Sequence, residues 1–432
     1  MRRQVVSSSL IALLAFPALC MAGSAQKGDE PVETLDEVVV SATKTPEKRK
    51  DVPNAVIVID EVQIEESPAK TLGELLANEP GIDWRTYGDY GGAVGQIHIR
   101  GMAGNATQVR VNGVTVNSPS LGPADVSKIP LNSIERIEVV KGSGSVLYGS
   151  GAMAGTINII TKRPEREEMD LKASAGFGTQ GSYGIAAEQG MFAADDFGYY
   201  VTANRYKTNG FRSNSDLSHN DASLNLVLDK GDLLDVSLYG DYIYRDFGRP
   251  GVQPPAGTQS YYLNGTELTN SESASLVDRG RDNDAHGVLN VKSRPADWVD
   301  LKFRGDYTYM ESYNYGRYWG MGGGARTWVT NKVLGLEGDV DLRPFSGANL
   351  LIGAEYKNYD WENKNTNLDG GGADVPGSTT QTDATLHTTG VYMEGQYRPS
   401  QYVKGLAGIR HEDHSEFGTE DLPRFGLIIN PL

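Results

Sequence analysis

The sequence is almost free of cysteine. Its one cysteine, Cys20, falls inside an N-terminal segment with a basic start, the apolar run Leu10–Leu19 and the small residues Gly23–Ala25, which is typical of an export signal. Leu19 disfavours lipid attachment at Cys20, because a small residue is expected there. We predict a signal peptide over residues 1–25. A mature protein without thiols then excludes a disulfide framework and fits an oxidising compartment.

Beyond the signal, the sequence lacks long hydrophobic runs, an excess of positive charge and catalytic motifs. No later segment approaches the roughly 20 apolar residues of a spanning helix, so any membrane crossing would be made by a β-barrel. The formal net charge of −16 argues against nucleic acid, which binds through clustered lysine and arginine. Neither a GxSxG nor an HExxH pattern occurs, and we expect no enzyme and no catalytic residue.

What the chain does contain, from Met169 onward, is alternation of apolar and polar residues. Leu238 and Tyr242 share one face of a predicted strand, while Tyr239 and Asp241 lie on the other. Such a pattern at period two is typical of barrel strands with lipid outside and water inside. A soluble β-sandwich with one wet face is the alternative. That alternative explains the alternation but neither the strand length nor the loop asymmetry.

The connections between these segments are of two kinds. Short turns such as Gly231–Asp232 contrast with long polar stretches, which we predict to be extracellular loops at Phe247–Asp284, Ser312–Arg326 and Glu362–Thr385. About a dozen strands fit before Leu432. Outer-membrane transporters with a plugged lumen have about 22. We therefore predict a partial transmembrane antiparallel β-barrel, incomplete at its C-terminal side.

Residues 51–165 read instead as a compact α+β domain. Three motifs stand out in it: IRG at Ile99–Gly101, VNGV at Val111–Val114, and IERIEVVKGSGSVLYGSGAMAGTINIITK at Ile134–Lys162. The glycine-rich part is not a phosphate loop, because Ser150 and Gly151 stand where Lys and Ser/Thr are required. Together the motifs closely resemble the plug domain of TonB-dependent outer-membrane receptors.

An apolar island interrupts the polar leader over residues 26–50. Its residues are Asp36, Glu37, Val38, Val39, Val40, Ser41 and Ala42. They resemble the TonB box, a peptide that the family offers as an added strand to a periplasmic energiser protein. Strand addition works through main-chain hydrogen bonds, so a short valine run suffices. The island on its own could equally be the first strand of a folded domain.

The resemblance implies a domain order and a function. We expect a signal peptide (1–25), a leader with TonB box (26–50), a plug inside the bore (51–165) and barrel strands (166–432). The implied activity is TonB-dependent import of a ferric siderophore or cobalamin across the bacterial outer membrane. The expected partners are the TonB complex, outer-membrane lipid and that ligand. A non-transporting fragment or a surface-binding protein is the alternative.

Residue roles follow from the same resemblance. We expect a structural or plug-locking role at Arg100, Gly101, Arg136, Glu138, Gly142, Tyr148, Gly149 and Gly155, with the two arginines facing either barrel glutamates or Glu135 and Glu138 of the plug. The expected ligand contacts at the plug apices are Tyr87, Asp89, Tyr90, Met102, Asn105 and Asn117. No cofactor is expected. Asp278, Asp282 and Asp284 are candidate Ca²⁺ ligands, with a solvated acidic loop as the alternative.

Overall fold

The structure is a computed structural model. It describes residues 38–39, 43–87, 94–149, 151–251, 262–263, 266–267, 275–318 and 323–430. Contacts group Glu37–Leu432 into one compact unit. Within the described residues, no helix is both long enough and apolar enough to span a membrane.

The N-terminal region is built of short elements. Its strands are β1 (Val38–Val39), β2 (Glu47–Lys48), β3 (Ala55–Ile59), β4 (Ile82–Tyr87), β5 (Val94–Ile99), β6 (Thr107–Val111), β7 (Val114–Thr115), β8 (Ile134–Lys141) and β9 (Gly155–Thr161). Its helices are α1 (Glu61–Glu66), α2 (Leu72–Leu76) and α3 (Ser145–Tyr148), with 3₁₀ turns at Arg49–Asp51, Gly104–Ala106, Val126–Lys128 and Leu131–Ser133.

Local sequence explains the two helix starts. Asp60 and Gln63 form a reciprocal capping box at α1, which satisfies two otherwise orphan N–H groups. The Thr71 side chain accepts the Glu74 N–H at the start of α2. Both caps fix where the helices begin, so that α2 presents its apolar side to the plug core.

The β-branched strands β8 and β9 form the centre of the plug. In the described residues the plug sheet has the order β3-β8-β9-β6-β7, with β6 and β9 parallel and the other pairs antiparallel. Fully buried aliphatic side chains fill its core: Leu72, Leu76, Ile99, Ile134, Ile137, Ile157 and Ile159. Each such side chain contributes about 1.5–3 kcal/mol when it leaves water. The predicted α+β plug is thus a folded domain with its own core.

The remaining strands are longer. They are β10 (Asp170–Phe177), β11 (Tyr183–Phe192), β12 (Phe197–Thr208), β13 (Leu217–Asp229), β14 (Asp235–Gly248), β15 (Tyr262–Leu263), β16 (Thr266–Glu267), β17 (Arg279–Ala296), β18 (Val299–Tyr318), β19 (Gly323–Leu342), β20 (Ala348–Leu368), β21 (Thr380–Ser400), β22 (Val403–His414) and β23 (Gly418–Ile429). A 3₁₀ turn, Gly231–Leu233, precedes β14.

Except for β15 and β16, which pair with each other, these strands form one antiparallel sheet. Across the described residues it has twelve strands, from β10 to β23 in sequence order. Leu238 and Tyr242 point outward and are about half exposed, whereas Tyr239 is 5% exposed on the inner face against the plug. The alternation read from the sequence, and the partial barrel with an N-terminal plug, are therefore confirmed.

Two of the three predicted loops are shorter than expected, whereas most of Phe247–Asp284 does lie between β14 and β17. Strands β18 and β19 occupy most of Ser312–Arg326, and β20 and β21 occupy much of Glu362–Thr385. A barrel crosses the hydrocarbon with only about 9–11 tilted residues, whereas β17–β21 have 18–21. The excess lies outside lipid, where outward side chains need not be apolar. Hydrophobicity therefore marks where the membrane ends and not where the strands end.

Candidate functional site

The plug is tied to the inner face of the barrel by a buried ionic cluster. The Arg245 guanidinium on β14 lies 2.6 Å from Asp125 of the plug and 2.6 Å from Asp282 of β17. It also donates to the Ser127 hydroxyl at 2.7 Å. Arg245 is completely buried, so these partners supply the compensation that a charge needs away from water.

Lys128 completes this cluster from the plug side. Its ammonium lies 2.8 Å from Asp284 and 3.3 Å from Asp282. Burial alone would lower the pKa of Lys128, but the two carboxylates outweigh it and hold the pKa above its usual value. The lysine therefore stays protonated at neutral pH and bridges plug to wall.

A second ionic cluster holds the segment just after the predicted TonB box. The buried Lys44 ammonium pairs with Glu337 of β19 and donates to the Tyr392 hydroxyl of β21 at 2.6 Å. It also sits 4.2 Å from the centre of the Tyr392 ring. Arg304 of β18 binds the same Glu337. Burial lowers the pKa of Lys44, with Glu337 opposing that shift.

Between the two clusters the contact is apolar. Tyr239 of β14 and Val288 of β17 belong to the same buried cluster as the plug core. The Tyr239 hydroxyl donates to Asp241 at 3.0 Å, which satisfies its polar end. The plug thus packs directly against strands β14 and β17, in addition to being held there by charge.

Two cavities separate plug and wall on either side of the plug loop at residues 117–122. One, of about 360 Å³, is bounded by Ser120 and Leu121 of that loop and by Phe247 and Met310 of the barrel. The other, of about 260 Å³, is bounded by Asn117 with barrel side chains of β18–β22. Such concave, mixed surfaces are the usual form of small-molecule sites.

The predicted ligand contacts divide into two groups. Asn105 is exposed and lines the 260 Å³ cavity, and Met102 is 41% exposed. Asn117 lines that cavity too, but its amide is engaged: Oδ1 accepts the Val109 N–H at 2.8 Å, and Nδ2 donates to two backbone carbonyls at 3.0 Å. Asn117 therefore holds the loop in shape. Tyr87 ends β4, and Asp89 and Tyr90 lie outside the described residues.

The predicted locking arginines make no ion pair to the barrel within the described residues. Arg136 pairs with Glu135 and, at 3.2 Å, with Glu138, both on its own strand. Arg100 is exposed and adopts a left-handed backbone conformation (φ 53°) before Gly101 (φ 75°). Arg136 thus has the second of the two arrangements expected from the sequence, whereas Arg100 forms no ion pair in the described part of the chain.

The glycine-rich segment between β8 and β9 is a tight packing element. A side chain at Gly155 would collide with the Val140 carbonyl, and one at Gly149 (φ 74°) would meet Glu412 and Arg410 of the barrel. Gly142 also needs a positive φ, 105°. Tyr148, between them, is buried under the Arg110 guanidinium at 4.7 Å. All four residues thus take part in close packing, and a plug-locking role for them stays a prediction.

Only Val38 and Val39 of the predicted TonB box are described. As β1 they pair antiparallel with Glu47–Lys48 of β2. This pairing agrees with a segment that readily accepts a partner strand. Asp36, Glu37, Val40, Ser41 and Ala42 lie outside the described residues.

The candidate calcium ligands are engaged elsewhere. Asp282 and Asp284 lie on β17, not in a loop, and face Lys128 and Arg245. Asp278 accepts the Arg317 N–H at 2.9 Å. In the described part of the chain no three His, Cys, Asp or Glu residues are arranged to hold a metal ion.

Sequence reasoning missed the residues that join plug to barrel. Their partners are far apart in the chain: Lys128 and Asp284 are 156 residues apart, Lys44 and Glu337 293. One usable signal existed, because Arg245, Asp282 and Asp284 fall on inward positions of amphipathic strands. Charges there need partners on whatever fills the bore.

Comparison with known proteins supports this architecture. The family model "TonB-dependent Receptor Plug Domain" matches residues 48–156. The vitamin B12 transporter BtuB of Photobacterium profundum is 35% identical over 178 residues, which cover 41% of this chain and 28% of that protein. BtuB of Vibrio vulnificus is 40% identical over 139 residues, 32% of this chain and 23% of its own length. The chain thus aligns with less than a third of each.

Solved structures match over a greater length. FpvAI in its complex with pyocin S2 superposes with a TM-score of 0.75 at 16% identity, covering 91% of this chain and 58% of that one. The unliganded ferric citrate transporter FecA gives 0.68 at 16%, covering 88% and 60%. At these identities the likeness concerns the fold. Taken with the plug match, it shows that the chain is built as a TonB-dependent receptor plug domain followed by a partial barrel.

Proposed function

We propose that this receptor takes up a large, scarce solute, a ferric siderophore or cobalamin, across the outer membrane with energy delivered through TonB. The observation that carries the proposal is the position of the plug loop at residues 117–122. It lies between two cavities whose other walls are barrel strands. A ligand seated there would touch both the plug and the wall.

The site supports ligand-dependent coupling by its construction. Asn117 fixes the loop to β6 through two hydrogen bonds, to Val109 and Thr107, and closes the loop through a third, to Gly122. Strand β6 in turn pairs with β9 of the central plug sheet. A ligand that displaces the loop would therefore shift the plug core. The buried clusters around Lys128 and Lys44 keep the plug on the wall until force is applied.

TonB would engage the chain at Val38–Val40 by strand addition. Pulling there reaches Lys44 within six residues, and its pairing with Glu337 is the first ion pair to the barrel among the described residues. The names of the relatives support cobalamin, and those of the structural neighbours support ferric siderophores, so the proposal covers both. BtuB is named a vitamin B12 transporter and FecA a ferric citrate transporter.

The test is uptake by cells that lack their own receptors for both ligands. The chain should support accumulation of radiolabelled cyanocobalamin or of a ferric siderophore. Val39→Pro should abolish accumulation but leave surface binding intact, because proline cannot donate in an added strand. Val39→Ile is the matched control and should transport normally. Ligand entry that does not depend on Val39 or on TonB would refute the proposal in favour of a passive pore.

A further inference from the structure

A third cavity lies at the short-turn end of the plug–wall interface, and the import function proposed above assigns it no role. Its volume is about 340 Å³. Seven cationic side chains line it, but only three carboxylates, Glu135, Glu337 and Asp339. We call this cavity the basic chamber. Its charge is opposite in sign to the net charge of the whole chain, −16.

Four of the seven cations are compensated locally. Lys44 and Arg304 share Glu337, and Arg136 pairs with Glu135. Arg163 reaches Asp235 at 2.8 Å. The excess positive charge of the basic chamber therefore resides in the other three, which are Arg110, Lys292 and Lys302.

Lys292 and Lys302 form a like-charge pair. They lie directly opposite each other on neighbouring strands β17 and β18, and both line the basic chamber. Residues so placed have Cβ atoms about 4.5–5.5 Å apart, and like charges there repel. Their outer neighbours in the same row are Asp235 and Asp339, but Asp235 pairs with Arg163 and Asp339 accepts the Tyr392 hydroxyl.

Neither lysine forms an ion pair within the described residues. The Lys302 ammonium donates to the Lys44 carbonyl at 2.6 Å, and Lys292 is exposed toward the cavity. Two adjacent ammonium groups that face water-accessible space, with nearby carboxylates already engaged, favour occupation by an anion.

Arg110, on the plug side, gives an independent indication of an anion site. Its side chain is 2% exposed, and its guanidinium donates to Gln108 and to the Gly113 carbonyl. In the described residues its Nε has no hydrogen-bond partner. A buried donor left unpartnered beside a cavity calls for a ligand or an ordered water. It is also a charged donor, and bonds from charged donors to oxyanions are the stronger kind.

We propose that the basic chamber binds an oxyanion, a phosphate or carboxylate group, between Lys292 and Lys302 on the wall and Arg110 on the plug. The volume of about 340 Å³ holds such a group with several waters, each of which occupies roughly 30 Å³ in the liquid. The group could come from free periplasmic anions or from an anionic part of the transported solute. The second source rests on the proposed function, and the first does not.

The test uses inorganic phosphate as the probe and the full chain in detergent at low ionic strength. Phosphate should raise the melting temperature of the wild type and of Lys332→Gln, which loses one lysine charge from the outward face of β19. The double variant Lys292→Gln/Lys302→Gln should bind phosphate at least tenfold more weakly. Without phosphate it should be no less stable than the wild type, because the repulsion is gone. The proposal is overturned if phosphate does not stabilise the wild type, or stabilises the double variant equally.

A second measurement identifies the source. In the uptake assay, the double variant should bind solute at the surface normally. Accumulation slowed severalfold would assign the basic chamber to the solute, and unchanged accumulation would assign it to free anions. Should the wild type transport neither solute, the import proposal fails, while the phosphate titration still decides on the anion site.

Discussion

Lys128 of the plug and Asp284 of β17 form a buried ion pair, with Nζ and Oδ2 2.8 Å apart. The side chains are 14% and 4% exposed. A pair so placed adds little net stability over an apolar pair, yet removing one partner is costly, since the other charge stays buried without compensation. The pair therefore acts chiefly to fix where the plug sits.

That asymmetry gives the first prediction. Lys128→Met should weaken plug attachment by about 3–5 kcal/mol. Adding Asp284→Asn to it should restore part of the loss, because no unpaired carboxylate then remains at that position. Urea titration of the solubilised protein, followed by tryptophan fluorescence, would measure both losses. If the losses caused by Lys128→Met alone and by Asp284→Asn alone simply add up in the double variant, the two residues are not coupled.

A second prediction concerns Lys44. Lys44→Met removes the charge that Glu337 and Tyr392 hold, so backbone hydrogen exchange over Thr43–Lys48 should accelerate about 10- to 100-fold, as expected for a local opening easier by roughly 1.4–2.8 kcal/mol. Lys230→Met, in an exposed turn, is the matched control and should leave exchange there unchanged. If exchange over Thr43–Lys48 stays slow in Lys44→Met, the segment is held by something other than this pair.

The position of the membrane boundary along the barrel can be tested on a single strand. Leu336 and Thr330 both point outward from β19, but Leu336 is 43% exposed within the apolar band and Thr330 lies six residues nearer the long-loop end. Leu336→Arg should cost about 2–4 kcal/mol in folding into lipid, and Thr330→Arg about 0–1. Folding titrations into phospholipid vesicles would show it. If the two variants cost the same free energy of folding, Thr330 does not lie outside the apolar band.

Sequence could predict what depends on neighbours along the chain. Strand β3, Ala55–Ile59, and the alternation around Leu238 follow from local pattern alone. Ion pairs such as Arg245 with Asp125, 120 residues apart, cannot be predicted in this way. An inward charge indicates that a partner is needed, but the local sequence does not indicate which residue that partner is. Strand ends beyond the lipid are likewise invisible, since hydrogen bonding between strands continues after the apolar signal stops.

Gly155 gives a prediction about packing. A Cβ there would collide with the Val140 carbonyl and lie 2.9 Å from Ile99. Gly155→Ala should therefore destabilise the plug by about 1–3 kcal/mol through overpacking between β8 and β9. Gly176→Ala on β10, where a Cβ meets nothing within 4 Å, is the control. Thermal melts of the two variants should differ, and identical melts would mean that the strands can separate without cost.

Asn117 is expected to hold the ligand site in shape, and Asn105 to contact the ligand. Both Asn117→Ala and Asn117→Asp should weaken ligand binding, since neither variant can donate to the carbonyls of Thr107 and Gly122 as the amide does. Asn117→Ala should also reduce protection of the Val109 amide from hydrogen exchange, because Oδ1 accepts that N–H, whereas Asn117→Asp keeps an acceptor there. Asn105→Ala, which removes an exposed side chain from the same cavity, should weaken binding while leaving that protection intact. If Asn117→Asp binds normally, the side chain does not hold the loop through its amide hydrogens, and the loop shape must come from the backbone alone.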